Sequence, residues 1–479
     1  MRKKWTYIVL ILLLALTGLQ SFMLVSYHST GKFFPQKKDP SIHQVTDLVS
    51  FEDYLLESYV LPFEITMTGG EGLSVHKVQK EEDGYFFKMW KDTLEALKTL
   101  SDTRQYEIYE EEKWNEITPL AGYLIKFNYD CPISFINWIS NSINTNFEID
   151  TISKIKIIPS SNDEGDVYLR VKDKVFRYVS VKLSGLLRLS DFLNVYEEIK
   201  AQSNITYVYL TEVALYESYQ GNIEPDTTIV IDDSFVKLDR IRISNYNLLS
   251  ECMLNLQLET DLNNISPLVT TYIEEIKERL FGIYADMYKT LITQNKEVTF
   301  SDQYNVYTIH TDASISYRYS SAVSYTKEKG EISQAFLNAL QAVEDLQGLS
   351  YEEIKNNLYL VDIEEDANFY TFYLTYSYKD YPVYIKDKKA SISISATEER
   401  VVSIDGIMLD IEGFFFEGED TLYSLSTFSL LSQSELALSS IKADNMFIAY
   451  IKEQTTLTSP SWILFDKEIL PLSLEEVEQ

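Results

Sequence analysis

The sequence predicts an α+β protein: a single N-terminal transmembrane helix followed by three exported mixed α/β domains with mainly antiparallel sheets. Three observations predict it. One apolar run, Trp5 to Val25, matches the length of about 20 residues that a helix needs to cross a hydrocarbon core. The roughly 430 residues beyond it exceed what one core usually holds. Helix-period and strand-period segments then succeed one another without the regular spacing of a parallel sheet.

The anchor, residues 1–27, comes first. A cleaved secretory signal has a shorter apolar core and a small-residue cleavage site. "SFMLVSYHSTG" carries no A-x-A pattern, so an uncleaved anchor is expected. Arg2, Lys3 and Lys4 lie closer to the run than Lys32, Lys37 and Lys38. The positive-inside rule therefore sets the N-terminus in the cytoplasm and the bulk of the chain outside the cell membrane. Thr17, Gly18, Gln20 and Ser21 interrupt the run. Thr17 and Ser21 are a small-x-x-x-small pair, which lets helix backbones approach closely. The Gln20 amide needs partners in hydrocarbon, where an interhelical hydrogen bond is worth about 0.6–2 kcal/mol. These four residues are the candidate partner-binding stripe. The plain alternative is polar residues tolerated near a membrane edge.

Residues 28–44 form a tether, with two prolines and three lysines in "KFFPQKKDPS". The first exported domain spans 45–200. In "EEDGYFFKMWKDTLEALKTL", Phe86, Trp90, Leu94 and Leu97 recur on one helix face. In "VYLRVKDKVFRYVSVKL", Val167, Leu169 and Val171 and then Val175, Arg177, Val179, Val181 and Leu183 alternate, predicting a hairpin. Arg177 on an apolar face belongs near an edge. The second domain spans 201–327. Ile273, Ile276, Leu280, Tyr284, Met287 and Leu291 predict one continuous helix stripe. "NVYTIHTDASISYRY" predicts a hairpin turning at Asp312 and Ala313. The third domain spans 328–479. Ile332, Phe336, Leu340 and Val343 make a helix face ending at Gly348. The aromatic and β-branched residues after it mark strands.

Net charge is −31, which disfavours nucleic acid, because phosphate binding needs Lys and Arg. Cys131 and Cys252 fit no metal spacing, and their pairing stays open. His28, His43, His76 and His310 are scattered, so each is expected to be a surface or satisfied residue. Ser-x-x-Lys occurs at Ser29, Ser324 and Ser439 without a K-T-G or S-D-N partner. Acid pairs such as Asp232–Asp233 and Glu364–Glu365 fit solvated faces, and "DIEEDANF" lacks calcium-loop spacing. No catalytic residue, cofactor or metal site is expected. The tyrosines allow a binding surface, placed at the aromatic cluster from Phe369 to Tyr384.

The order of features resembles the YycH (WalH) family of two-component regulatory proteins. The basic start and single span match, as do "YVLPFEITMTGGEG", "GYFFKMWKDTLEALKTL", "VTFSDQYNVYTIHTDASISYRYSSA" and "FYLTYSYKDYPVYIKDKKASISI". The last also resembles YycI and PepSY-like domains. One departure is Asp380, where the family has Gly before its Tyr-Pro-Val centre. The resemblance implies a non-enzymatic, membrane-anchored protein facing outward. It implies a partner of the YycI type and a WalK-type sensor histidine kinase, in a system governing cell-wall metabolism in Gram-positive bacteria. The competing readings are an envelope carrier or assembly factor for lipid or glycan, marked by a deep apolar cavity, and an envelope hydrolase, marked by convergent polar side chains.

Overall fold

The computed structural model describes residues 59–477 apart from internal stretches, of which 99–106, 140–149, 210–227, 321–329, 348–357, 415–421 and 425–444 are the longest. The anchor, the tether, and the stripe at Thr17, Gly18, Gln20 and Ser21 lie outside the described residues. Among the described residues, no helix is long and apolar enough to cross a membrane.

The first sheet is antiparallel and has seven strands. They are β1 (Glu64–Thr68), β2 (Val75–Lys77), β3 (Glu107–Tyr109), β4 (Gly122–Pro132), β5 (Thr151–Pro159), β6 (Glu164–Lys172) and β7 (Phe176–Ser184), in the order β2-β1-β4-β5-β6-β7-β3. Helix α1 (Tyr85–Lys98) buries Phe86, Trp90, Leu94 and Leu97, the face that their spacing predicts. Short helices α2 (Glu111–Ile117) and α3 (Ile133–Ile139) and helix α4 (Leu189–Gln202) complete this part. The β6–β7 hairpin sets Val171 opposite Arg177, Leu169 opposite Val179 and Val167 opposite Val181, which is the predicted alternation. Strand β7 is one place in from the edge, and β3 pairs only with its residues Tyr178 to Ser180. Arg177 falls just outside that cover.

Polar residues occupy the other face of β1 and β4. Glu64 lies 2.8 Å from Lys77 Nζ and 3.3 Å from Lys126 Nζ, and Lys126 is 3% exposed. Burial pushes the Glu64 carboxyl up, but the two ammonium groups outweigh it and hold it below its ordinary value. Lys156, also buried, donates to the carbonyls of Thr118 and Leu120 at 2.8 and 2.9 Å.

Small strands β8 (Val208–Tyr209), β9 (Thr228–Ile229), β10 (Phe235–Lys237) and β11 (Arg240–Asn245) lead into α5 (Asn247–Leu258) and α6 (Pro267–Phe281). Pro267 follows the N-cap Ser266, whose hydroxyl accepts from the Val269 N–H. Here the structure corrects the sequence. Ile273, Ile276 and Leu280 are buried as expected, but the helix stops at Gly282, with φ +53. A 3₁₀ turn, Gly282–Met287, and strand β12 (Lys289–Ile292) follow, so Met287 and Leu291 are exposed rather than helical core. A glycine in the left-handed region is a helix stop, and it outweighs the apolar period.

The large sheet has 12 strands: β12, β13 (Val298–Ser301), β14 (Asn305–Ile309), β15 (Ile315–Tyr319), β16 (Leu358–Glu365), β17 (Tyr370–Tyr378), β18 (Tyr381–Ile385), β19 (Ile392–Ala396), β20 (Val401–Gly406), β23 (Asn445–Lys452), β25 (Pro460–Asp466) and β26 (Glu468–Leu472). Strands β21 (Leu409–Phe414), β22 (Leu422–Ser424), β24 (Leu457–Thr458) and β27 (Glu476–Val477) belong to two three-stranded sheets. The β17–β18 loop is tight, with Tyr378 paired to Tyr381 and Lys379 at φ +46, as two-residue hairpins require. Strand β15 pairs with β20 from Ile315–Gly406 to Arg318–Ser403. One sheet thus runs through both of the segments divided at 327/328.

Helix α7 (Ile332–Gln347) covers β17, β19 and β20, burying Phe336, Leu340 and Val343 with Ile332 half-buried. Gly330 at φ +73 turns the chain into it, and the Glu398 carboxylate accepts from the Glu331 N–H. That satisfies one orphan donor and complements the helix dipole. Gly348, its expected cap, lies outside the described residues. Phe336 stacks on Phe135 at 4.8 Å, and Tyr59 donates to Glu344 at 2.9 Å, so α7 joins the first region to the last. One apolar core extends from Tyr59 to Tyr450.

Candidate functional site

Of the four histidines, His76 and His310 lie among the described residues, and neither is bare. His76 is buried, with Nε2 2.7 Å from Ser74 Oγ. His310 occupies the end of β14, where the alternation of β13, β14 and β15 creates two unlike faces. Val298, Phe300, Tyr307, Ile309, Ile315 and Tyr317 enter the core. Glu297, Thr299, Thr308, His310, Ser316 and Arg318 fall on the opposite, solvent-facing side. Ala313, at φ +62, makes the turn, closed by the Ala313 N–H donating to the His310 carbonyl at 2.9 Å.

This register brings three polar side chains together. Glu297 Oε1 is 2.7 Å from His310 Nδ1, and Ser316 Oγ is 2.8 Å from His310 Nε2. A carboxylate only accepts, so Nδ1 carries the shared proton, and in the neutral ring Nε2 accepts from the serine hydroxyl. The chain carboxylate–imidazole–hydroxyl is complete. It stands on an open sheet face, with His310 36% and Glu297 27% exposed. The turn beside it is a junction. Asn245 and Gln257 donate to the carbonyls of Asp312 and Thr311, and Lys452 bonds Asn245. Burial raises the Asp312 carboxyl, but bonds from Ser314 and the nearby Lys388 and His310 bring it below its ordinary value.

A second feature is apolar. Of ten large exposed hydrophobic residues among the described residues, six fall between Leu254 and Leu291. Leu254 and Leu258 lie on α5, Leu268 on α6, Ile283 and Met287 on the 3₁₀ turn, and Leu291 on β12. Ile283 is 88% exposed and Leu258 73%. Among the described strands, β12 is also a sheet edge. The Thr293 N–H bonds the Glu297 carbonyl, so the bonded pairs continue at Leu291–Thr299 and Lys289–Ser301. The peptide groups of Thr290 and Ile292 therefore point away from the sheet. Apolar side chains beside an open edge are the chemistry that strand-adding partners use.

The aromatic segment from Phe369 to Tyr384 divides: Tyr370, Phe372, Tyr376 and Tyr384 are core residues, and Phe369, Tyr373, Tyr378 and Tyr381 are half-buried. A cavity of about 170 Å³ bounded by Lys77, Tyr85, Ile199 and Gln202 is small beside ordinary ligand sites of ~300–1,000 Å³. Cys131 and Cys252 are buried free thiols, and burial pushes Cys252 up to about 12. Among the described residues, no group of His, Cys, Asp or Glu is arranged to hold a metal ion. Ser29, Ser324 and Ser439 lie outside the described residues.

No protein-family model matches the chain, and no curated protein matches it. Among solved structures it is similar to YycH from Bacillus subtilis, with 13% identity over 87% of this chain and 97% of that one, at a TM-score of 0.54. The fold is YycH-like. The likeness reaches through nearly all of the YycH structure, so it concerns the assembly of the sheets and not one common motif. The Glu297–His310–Ser316 arrangement was not legible as a cluster, because 13 and 6 residues separate its members from His310. The signal that points to it is hairpin register: a histidine flanking a turn, with partners at alternating positions on both neighbouring strands.

Proposed function

We propose that the chain is a membrane-anchored regulator, facing outward, that adjusts a WalK-type sensor histidine kinase through protein–protein contact. The observation that carries this reading is the YycH-like fold over 97% of the YycH chain. In this reading the system governs cell-wall metabolism in a Gram-positive cell. Residues 328–479 are its YycI-like part, and a YycI-like membrane protein is a second partner. The exposed side chains of α5, α6 and β12 form the exported contact surface. Their apolar character next to an open sheet edge favours contact with protein. The excess of acidic residues disfavours anionic headgroups. The Thr17, Gly18, Gln20 and Ser21 stripe forms the contact inside the membrane, and the exported domains set the orientation of the anchor.

Affinity capture from membranes, with residues 1–44 intact, tests this. The kinase and the YycI-like protein are expected to co-purify. Gln20→Leu, or Ile at Thr17 and Ser21, weakens capture and shifts kinase output, whereas changes at Leu14 and Phe22 matter less. If an unrelated transmembrane helix supports both association and normal output, the stripe has no role and contact runs through the exported domains alone.

A further inference from the structure

The proposed regulatory contact leaves the Glu297–His310–Ser316 arrangement unused. Its geometry is that of an activated nucleophile: hydroxyl to base at 2.8 Å and base to orienting carboxylate at 2.7 Å. The plain alternative is a cross-strand polar ladder, in which each pair stabilises the sheet by about 0.2–1 kcal/mol. Two features go beyond a ladder. Both imidazole nitrogens are engaged, which fixes the tautomer with Nε2 toward Ser316. A further hydroxyl also stands beside the serine: Thr308 is directly opposite Ser316 in register, and its Oγ1 lies 3.4 Å from Thr299 Oγ1. On the other side Asp405 is opposite Ser316, and Arg318 neutralises it at 2.8 Å.

We propose that Ser316 is an acyl-accepting nucleophile, with His310 as its base, Glu297 as the residue that orients His310, and short-chain acyl esters as the substrate class. Ser316 Oγ attacks the ester carbonyl carbon, and its proton passes to His310 Nε2. Glu297 stays ionised against the Nδ1–H. The Thr308 hydroxyl donates toward the oxygen that gains charge. Collapse of the adduct breaks the bond to the leaving oxygen, which takes the proton from Nε2. Water, deprotonated by the same imidazole, attacks the acyl carbon; the bond to Ser316 Oγ breaks, Oγ takes the proton back from Nε2, and the acyl group leaves as a carboxylic acid. His310 and Glu297 are partly exposed on a sheet face, so small, acetyl-sized groups fit best. Glu297 is partly solvated, which weakens its hold on the imidazolium and makes the reaction slow.

The test treats the purified full chain with p-nitrophenyl acetate. It follows nitrophenolate release, intact mass and the modified peptide. One acetyl group on Ser316 is expected. Ser316→Ala removes it, and Ser314→Ala leaves it. His310→Gln, which keeps hydrogen-bonding capacity, lowers the acetylation rate by about a hundredfold. Glu297→Gln lowers it less. Circular dichroism establishes that each variant is folded, and the Glu297→Gln and Ser316→Ala pair decides the matter if His310→Gln does not fold. Absence of acetylation, acetylation at a different residue, or an unchanged Ser316 rate in either base-side variant overturns the proposal. Ser316→Ala is expected to leave kinase capture intact, so this test and the regulatory reading fail separately.

Discussion

Asp345 offers a prediction with a distinctive pH signature. It lies near the end of α7, accepts from Gln341 Nε2 at 3.2 Å, and its Oδ2 has no hydrogen-bond partner among the described residues. Glu344 next to it takes the Tyr59 hydroxyl, and burial raises that carboxyl as well. Burial pushes Asp345 from an ordinary 3.8 up to about 8. The folded chain therefore holds a proton at pH 7 that the unfolded chain releases. A raised acid stabilises the fold below its unfolded value and loses that contribution as pH rises toward its folded value. One unit is worth about 1.4 kcal/mol, which sets a ceiling of about 4 kcal/mol at pH 7. The carboxyl is only partly enclosed, so solvent screening reduces this to about 1–2 kcal/mol. Asp345→Asn removes the titration and still accepts from Gln341, while its amide adds a buried donor at a cost of about 1 kcal/mol. Urea unfolding followed by tryptophan fluorescence at pH 4, 6 and 8 measures the balance. The variant is expected to be equal to or slightly weaker than the parent at pH 4, and to gain about 1–2 kcal/mol on it by pH 8. A difference that does not change with pH would refute the reasoning.

The remaining predictions rest on other parts of the fold. Gly122→Ala places a methyl carbon 2.1 Å from the Ile157 carbonyl oxygen, at φ +154. It should cost about 2–4 kcal/mol in urea unfolding, whereas Gly282→Ala, with nothing within 4 Å, meets no clash and costs about 1–3 kcal/mol of backbone strain at φ +53 and ψ −125. Glu64→Gln weakens the hold on buried Lys126 and should cost about 2–3 kcal/mol at neutral pH. Because the Glu64 carboxyl is depressed in the fold, its contribution is present above the unfolded value of 4.5 and is lost as pH falls through the folded one. The penalty therefore shrinks in acid, and a penalty that grows there would contradict the assignment. The sequence division at 328 is tested by an engineered protease site at 327/328. The β15–β20 ladder should keep the cut pieces together on a sizing column in native buffer and release them in urea.

What the sequence made legible is local. Period 3.6 found the buried faces of α1 and α7, period 2 found the β6–β7 hairpin, and aromatic and β-branched content marked the strands after α7, because each pattern is set by neighbours a few residues apart. The same rule failed at α6, where Gly282 stops a helix whose apolar spacing continues to Leu291 by coincidence of strand and turn. The β15–β20 pairing joins residues about 90 apart in the chain, and no local pattern encodes such a partner. Tyrosine content alone does not tell a surface ring from a core ring. A ring with a hydroxyl suits both a wet surface and a core with one polar handle, and Tyr376 and Tyr384 took the second course. The leucines of α5, which the sequence reading did not single out, divide between two faces: Leu249, Met253 and Leu256 are buried, while nothing among the described residues covers Leu258.

The central claim is regulation by contact. The most direct measurement is kinase autophosphorylation in vesicles that hold the sensor kinase and the YycI-like protein, with and without this chain. The account predicts that the full chain changes the rate, and that Leu254→Ser, Leu258→Ser and Leu291→Ser together remove the change while urea unfolding shows stability within about 0.5 kcal/mol of the parent. A rate that is the same with and without the full chain, in vesicles where all three proteins are present and folded, would contradict it.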